Sequence, residues 1–234
     1  MPVAYIYRQY AREGSLVRRF HLRFLSSALA ARALFGMRVR RADVRTFTQF
    51  FDLTSVLLKS VVDRELAQRP TARLLEIGVG AYAILSGSIA RKWRRHVDGI
   101  DVEQSLIDSA RKHVAQNHVD VTIVKSDVLT EARGKYGVIF WNMPYYQDPK
   151  TYLPRLFEQL PEHLERGGAL FIGYNTNPLK RSAVEAILAD DPRLALEEAV
   201  TWRWNRHEVL RIGLVERRAA SSVTLESERR IGVE

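Results

Sequence analysis

Arg73-Leu-Leu-Glu-Ile-Gly-Val-Gly80 runs apolar for a few residues and then places two glycines one position apart. Such a stretch reads as a strand turning sharply into a helix, where glycine lets the backbone pass close to a ligand with no side chain in the way. In open α/β sheets ligands bind beside the carboxyl ends of strands, so Glu76, Gly78 and Gly80 are candidate binding residues. The full Gly-x-Gly-x-x-Gly pattern is absent, because Ala83 stands at the third position. Alone, the pair of glycines is equally an ordinary strand-to-helix turn.

Downstream, short β-branched and apolar runs alternate with helical stretches. Strands are expected at 73–77, 96–100, 121–125, 136–141 and 169–173, with helices near 82–94, 104–117, 149–165 and 178–190. This alternation predicts right-handed crossovers and a mostly parallel sheet covered on both faces. Two extended stretches, 194–202 and 208–216, follow each other closely and predict a terminal antiparallel hairpin. Upstream, Leu22, Leu25, Leu29 and Ala33 recur at helical spacing within 16–35. A second helix over about 47–66 has a broad apolar set that suits packing against the sheet, and Arg69-Pro70 closes it. The expected division is a basic helical N-terminal segment (1–70) acting as cap or substrate arm, a main domain (71–218) and a tail (219–234).

The 234 residues, 46% of them hydrophobic, can bury a full core. With no cysteine, a disulfide framework and a thiolate nucleophile or ligand are excluded. The histidines fall at no metal-binding spacing, so no metal is expected. A Gly-x-Ser-x-Gly elbow is missing, which disfavours hydrolase chemistry. No apolar run approaches the roughly 18 residues of a membrane span, so a cytoplasmic protein with no membrane partner is expected. The net charge is +9, and up to residue 45 ten arginines stand against only Glu13 and Asp43. Such an arm could meet nucleic-acid phosphates or an acidic protein, or its arginine stems could line the outside of a helical cap.

Three further signals follow the glycines in order. Asp101 closes the second expected strand, 23 residues beyond Gly78. A carboxylate there can accept both ribose hydroxyls of an adenosine ligand, or merely cap the next helix. Glu103 is a neighbouring alternative. After the third strand, Ser126-Asp127-Val128 could place the Asp127 carboxylate on the exocyclic amine of adenine and offer the Val128 amide beside it; a cap is again the alternative. After the apolar Val138-Ile-Phe-Trp141 comes Asn142-Met-Pro-Tyr145. An amide or aromatic amine is a poor nucleophile because its lone pair is delocalised, so a site that alkylates one must orient it and stabilise developing positive charge. The Asn142 side-chain oxygen and Met143 carbonyl could each accept an N–H, with Pro144 beside them on the substrate side and Tyr145 stacking on the planar group. Tyr174 and Asn175, after the fifth strand, are further candidates on the substrate side.

From about residue 72 to 217 the chain resembles class I S-adenosylmethionine-dependent methyltransferases. Asn142-Met-Pro-Tyr145 is similar to the Asn-Pro-Pro-Tyr motif of protein glutamine methyltransferases that modify release factors and of amino-methyltransferases acting on adenine in nucleic acids. Phe50-Phe-Asp-Leu-Thr-Ser-Val-Leu-Leu58 resembles the segment those enzymes place over the cofactor. The resemblance implies an α/β, Rossmann-like sheet of seven strands, mostly parallel with the last antiparallel. It also implies S-adenosylmethionine as cofactor, held by Gly78, Gly80 and Asp101 with Asp127 near adenine, and N-methylation with Asn142 and Tyr145 on the acceptor. Met143 departs from the motif by replacing its first proline, and residues 1–70 do not match the substrate domain of the release-factor enzymes. The acceptor is therefore left open among protein amide, nucleobase amine and small metabolite. Two alternatives stand beside this: an RNA-binding module of the same fold without activity, and an aminopropyltransferase-like enzyme, which would want a carboxylate where Asn142 stands.

Overall fold

Leu74–Ile77 (β1) is buried at every position and lies inside a seven-stranded sheet. The other strands are β2 (Val97–Asp101), β3 (Val121–Lys125), β4 (Tyr136–Asn142), β5 (Leu164–Asn175), β6 (Leu194–Trp202) and β7 (His207–Leu214), in the spatial order β3-β2-β1-β4-β5-β7-β6. The computed structural model describes residues 23–40, 49–144, 148–202 and 206–215. β1 to β5 pair in parallel, and β7 runs antiparallel to both β5 and β6. This is the mostly parallel sheet with a terminal hairpin expected from the alternation of strands and helices.

Helices α1 (Ala28–Phe35), α2 (Leu53–Gln68), α3 (Ile84–Trp93), α4 (Gln104–Asn117), α5 (Leu153–His163) and α6 (Arg181–Leu188) cover the sheet. The two-residue period of β4 divides the core. Val138 and Phe140 join a cluster with α1, α2 and α3, while Ile139 and Trp141 join one with α5 and α6. Phe140 and Phe171 are essentially inaccessible, and burying each such ring stabilises the fold by about 1.5–3 kcal/mol.

Three elements depart from the sequence reading. The helix expected over 16–35 is broken at 26–27: residues 23–25 are helical, and α1 begins anew at Ala28, where the Ser27 side chain accepts from the Ala30 amide and caps it; residues 16–22 lie outside the described residues. β5 starts at Leu164 rather than Ala169, pairing first with Tyr136 and then shifting register. Gly168 allows that shift, since a Cβ there would meet three carbonyl oxygens at 2.9–3.1 Å. α2 starts at Leu53 rather than near 47, because the Asp52 side chain accepts from the Ser55 amide and caps it; its Leu57, Leu58, Val61 and Val62 share a core cluster with the sheet, the packing expected of its broad apolar set.

The β5 register sets up the site. Asn142 pairs with Gly173, Gly173 with Val209, and Asn175 with His207, all near the carboxyl edge. The first turn of α2 packs onto that edge, where a Cβ on Gly173 would stand 2.8 Å from the Thr54 methyl.

Candidate active site

The turn after β1 is tied to β2 from two sides. The Gly78 and Val79 amides donate to the Ile100 carbonyl at 2.8 and 3.1 Å, and the Gly80 amide donates to Asp101 Oδ2 at 2.9 Å. Gly78 and Gly80 have φ of 66° and 60°, in the left-handed region that disfavours side chains. A Cβ on Gly80 would meet nothing within 4 Å, so the turn opens onto free space. The Glu103 amide donates to Asp101 Oδ1 at 3.0 Å, while the Glu103 carboxylate accepts from the Ser105 hydroxyl at 2.5 Å. Each Asp101 oxygen keeps acceptor capacity, since a carboxylate offers about four lone-pair sites. Burial raises the Asp101 pKa, while these backbone donors oppose the rise.

Glu76 lies beneath the same turn, only 2% exposed, and accepts from the Ser86 amide at 2.8 Å. Burial pushes its carboxyl up to about 7, against the Ser86 hydrogen bonds and with help from the Asp101 charge. A cation placed beside it would draw it into the ionised form.

Asp127 and Val128 follow β3. Asp127 is half exposed and held by the Arg155 guanidinium of α5, with Nη2 3.1 Å from Oδ1, so any adenine amine would share its carboxylate with that ion pair. Val128 has φ of 53°, which costs a β-branched residue roughly 1–3 kcal/mol. Ser126 holds it there, donating its hydroxyl to the Val128 carbonyl at 2.9 Å and accepting from the Glu131 amide at 3.0 Å. The Val128 N–H has no hydrogen-bond partner among the described residues.

Asn142, at the end of β4, is fixed by two residues of the 50–58 stretch, Asp52 and Ser55. Its Nδ2 donates to Asp52 Oδ1 and to Ser55 Oγ, both at 3.0 Å. Asp52 is also the N-cap of α2, accepting from the Ser55 amide and hydroxyl at 2.8 Å. An ionised carboxylate only accepts, so the Asn142 amide must turn its NH2 toward Asp52. Its oxygen is thereby presented as an acceptor. Beside this group, His207 Nδ1 lies 2.7 Å from Thr54 Oγ1, joining α2 to the terminal hairpin. The Asp52-Leu-Thr-Ser55 cap was the available signal, since Asp followed by hydroxyl residues is typical of a helix start.

The remaining candidates divide. The Met143 amide donates to the Gly173 carbonyl at 2.9 Å, and its side chain is buried, leaving the backbone carbonyl as the group it could offer. The Pro144 carbonyl accepts from the Tyr152 hydroxyl at 2.9 Å, which anchors the turn. Tyr145 lies outside the described residues. Tyr174 is a correction: it is fully buried, and its hydroxyl donates to the equally buried Glu208, so it cannot meet a substrate. Burial resists ionisation of Glu208, but hydrogen bonds from Arg181, Tyr174 and Thr201 outweigh it and hold its pKa below the ordinary range. Asn175 accepts from the Asn177 amide at its Oδ1, 2.9 Å away in a local turn, which leaves its NH2 as the group it could offer.

Comparison with known proteins fits this geometry. The pattern of the family "Methyltransferase small domain" matches residues 47–194. A "Putative protein N5-glutamine methyltransferase" of Methanocaldococcus jannaschii is 27% identical over 136 residues, covering 50% of this chain and 66% of that protein. The ribosomal RNA small subunit methyltransferase C of Haemophilus influenzae is 28% identical over 128 residues, covering 53% of this chain and 38% of the relative. The matched stretch thus spans less than two thirds of either relative's length. In structure, the Thermus thermophilus 16S rRNA N2 G1207 methyltransferase, solved with AdoMet and guanosine, superposes with a TM-score of 0.56 at 20% identity, covering 70% of this chain and 43% of that one. The family pattern runs from just before α2 through the glycine turn, the Asp101 and Asp127 loops and Asn142 to the start of β6, and the chain belongs to the methyltransferase small domain family.

Proposed function

We propose that this chain is an S-adenosylmethionine-dependent N-methyltransferase acting on a planar or amide nitrogen carried by a protein or an RNA. The observation that carries it is the orientation of Asn142, whose amide oxygen is left as an acceptor by the acceptor-only Asp52. An oxygen so fixed accepts an N–H of the incoming group and resists its rotation, which is what a delocalised nitrogen needs before it can attack. The Met143 carbonyl is suited to a second N–H. As positive charge develops on the nitrogen, both dipoles stabilise it without reorganising.

The residues of the turn suit the cofactor. Gly80 opens onto free space, Asp101 can accept ribose hydroxyls, Glu76 is a buried acceptor suited to an ammonium, and the Val128 N–H lacks a partner among the described residues. Bound there, S-adenosylmethionine would supply an electrophilic methyl group on a sulfonium centre. The protein aligns the nitrogen with that methyl and provides no covalent nucleophile.

The two named relatives, a glutamine methyltransferase and a ribosomal RNA methyltransferase, support a macromolecular acceptor over a small metabolite. Arg32, Arg38 and Arg40, among the described residues of the basic arm, would favour an acceptor rich in phosphate. The test is transfer of a radiolabelled methyl group from S-adenosylmethionine into a cell extract separated into protein, RNA, DNA and small-molecule pools. Label entering the protein or RNA pool with the wild type but not with Asn142→Ala supports the reading. Label confined to small molecules contradicts the macromolecular acceptor.

A further inference from the structure

Trp141 precedes Asn142 on β4 and therefore faces the other side of the sheet, where its ring meets Tyr152 edge-on at 5.0 Å. It is 6% exposed, and its indole Nε1 has no hydrogen-bond partner among the described residues. Buried tryptophan N–H groups ordinarily find an acceptor, because leaving the donor dry is unfavourable. This donor is not lost in the apolar cluster. Nε1 stands 3.0 Å from where a Cβ on Gly78 would lie, so the indole edge borders the glycine turn itself.

Sheet order indicates what arrives there. β3, β2, β1 and β4 lie side by side, so the groups at their carboxyl ends form a line: Asp127, Asp101, the Gly78–Gly80 turn, then Asn142. A cofactor with adenine and ribose at Asp127 and Asp101, and its methyl directed at the acceptor on Asn142, must lay its amino-acid end between β1 and β4. That end carries an ammonium and a carboxylate. A carboxylate only accepts and an indole N–H only donates, and Glu76 beneath the same turn is the complementary acceptor for the ammonium.

We propose that Trp141 is a cofactor-binding residue whose indole N–H donates to the carboxylate at the amino-acid end of S-adenosylmethionine. This rests on the cofactor reading above. Hydrogen bonds to ionised groups are the stronger kind, so loss of this one should weaken binding about tenfold.

Calorimetric titration with two ligands tests it: S-adenosylhomocysteine, which keeps the amino-acid end, and 5′-methylthioadenosine, which lacks it. Trp141→Phe keeps a ring against Tyr152 and removes the donor. It should bind S-adenosylhomocysteine about tenfold more weakly and methylthioadenosine within about twofold of wild type. Equal weakening of both ligands, or of neither, overturns the proposal. Asp101→Ala should weaken both; if it weakens neither, the reading of the cofactor site fails, independently of Trp141. On the unsubstituted 15N-labelled protein, the Trp141 indole proton should move downfield with S-adenosylhomocysteine and much less with methylthioadenosine. Identical responses to the two ligands would also overturn the assignment.

Discussion

Asp52 acts on Asn142, and through it on the proposed acceptor site, by what it cannot do. As an ionised carboxylate it has no proton to give, so the Asn142 amide can satisfy it in only one orientation. Asp52→Asn removes that restriction, because the new amide can either donate or accept, and Asn142 can then flip. The turnover number should fall on the order of 100-fold while affinity for S-adenosylmethionine stays within about twofold, a split read from steady-state kinetics and titration. Glu76 makes a second prediction at this scale. Its carboxyl is raised to about 7 in the folded protein from 4.5, so between those values the native state holds a proton that the unfolded chain has released. Its contribution is fully present below about pH 4.5, declines as the pH rises, and is gone above about 7. The loss is on the order of 3 kcal/mol. Thermal unfolding of the ligand-free protein should show this decline, and Glu76→Gln should remove its part of it. A wild-type profile identical to that of Glu76→Gln would contradict the assignment.

Elements bring these residues together through two close approaches. α2 reaches Asn142 only because Gly173 lacks a side chain, since a Cβ there would press on the Thr54 methyl at 2.8 Å and on Leu58 at 3.4 Å. Gly173→Ala should destabilise the protein by about 1–3 kcal/mol and lower turnover with it. Adding Thr54→Ser, which removes the offending methyl, should restore part of both; denaturant unfolding and kinetics on the single and double variants decide this. The second approach is that of β7 to β5, where Tyr174 and Arg181 close on the buried Glu208. Tyr174→Phe should cost about 1 kcal/mol of stability and leave the Michaelis constant for the acceptor unchanged. A raised Michaelis constant at unchanged stability would return Tyr174 to the substrate side. Sequence pattern could not reveal this burial. A two-residue period tells which face of the sheet Tyr174 takes, but not that Glu208, 34 positions later, closes over its hydroxyl.

For the whole molecule, the layout of the sheet was readable because it rests on local signals: apolar runs of strand length, helical spacing between them, and Gly78 and Gly80 at the first turn. The order of the candidate loops along the carboxyl edge follows from that topology. What escaped the sequence reading is long-range pairing. Asp52 meets Asn142 across 90 positions, and Arg155 takes Asp127 across 28, with no periodicity linking either pair. The terminal hairpin was expected as an element, but its His207 contact with Thr54 depends on α2 lying across the edge. In the proposed function Asn142 holds the acceptor nitrogen while the glycine turn and Asp101 hold the cofactor. The most direct measurement is single-turnover methyl transfer by Asn142→Ala, with S-adenosylmethionine affinity determined on the same preparation. Affinity should stay within about twofold of wild type while the transfer rate falls by a factor on the order of 100 to 1,000. Transfer at the wild-type rate would contradict the proposed function.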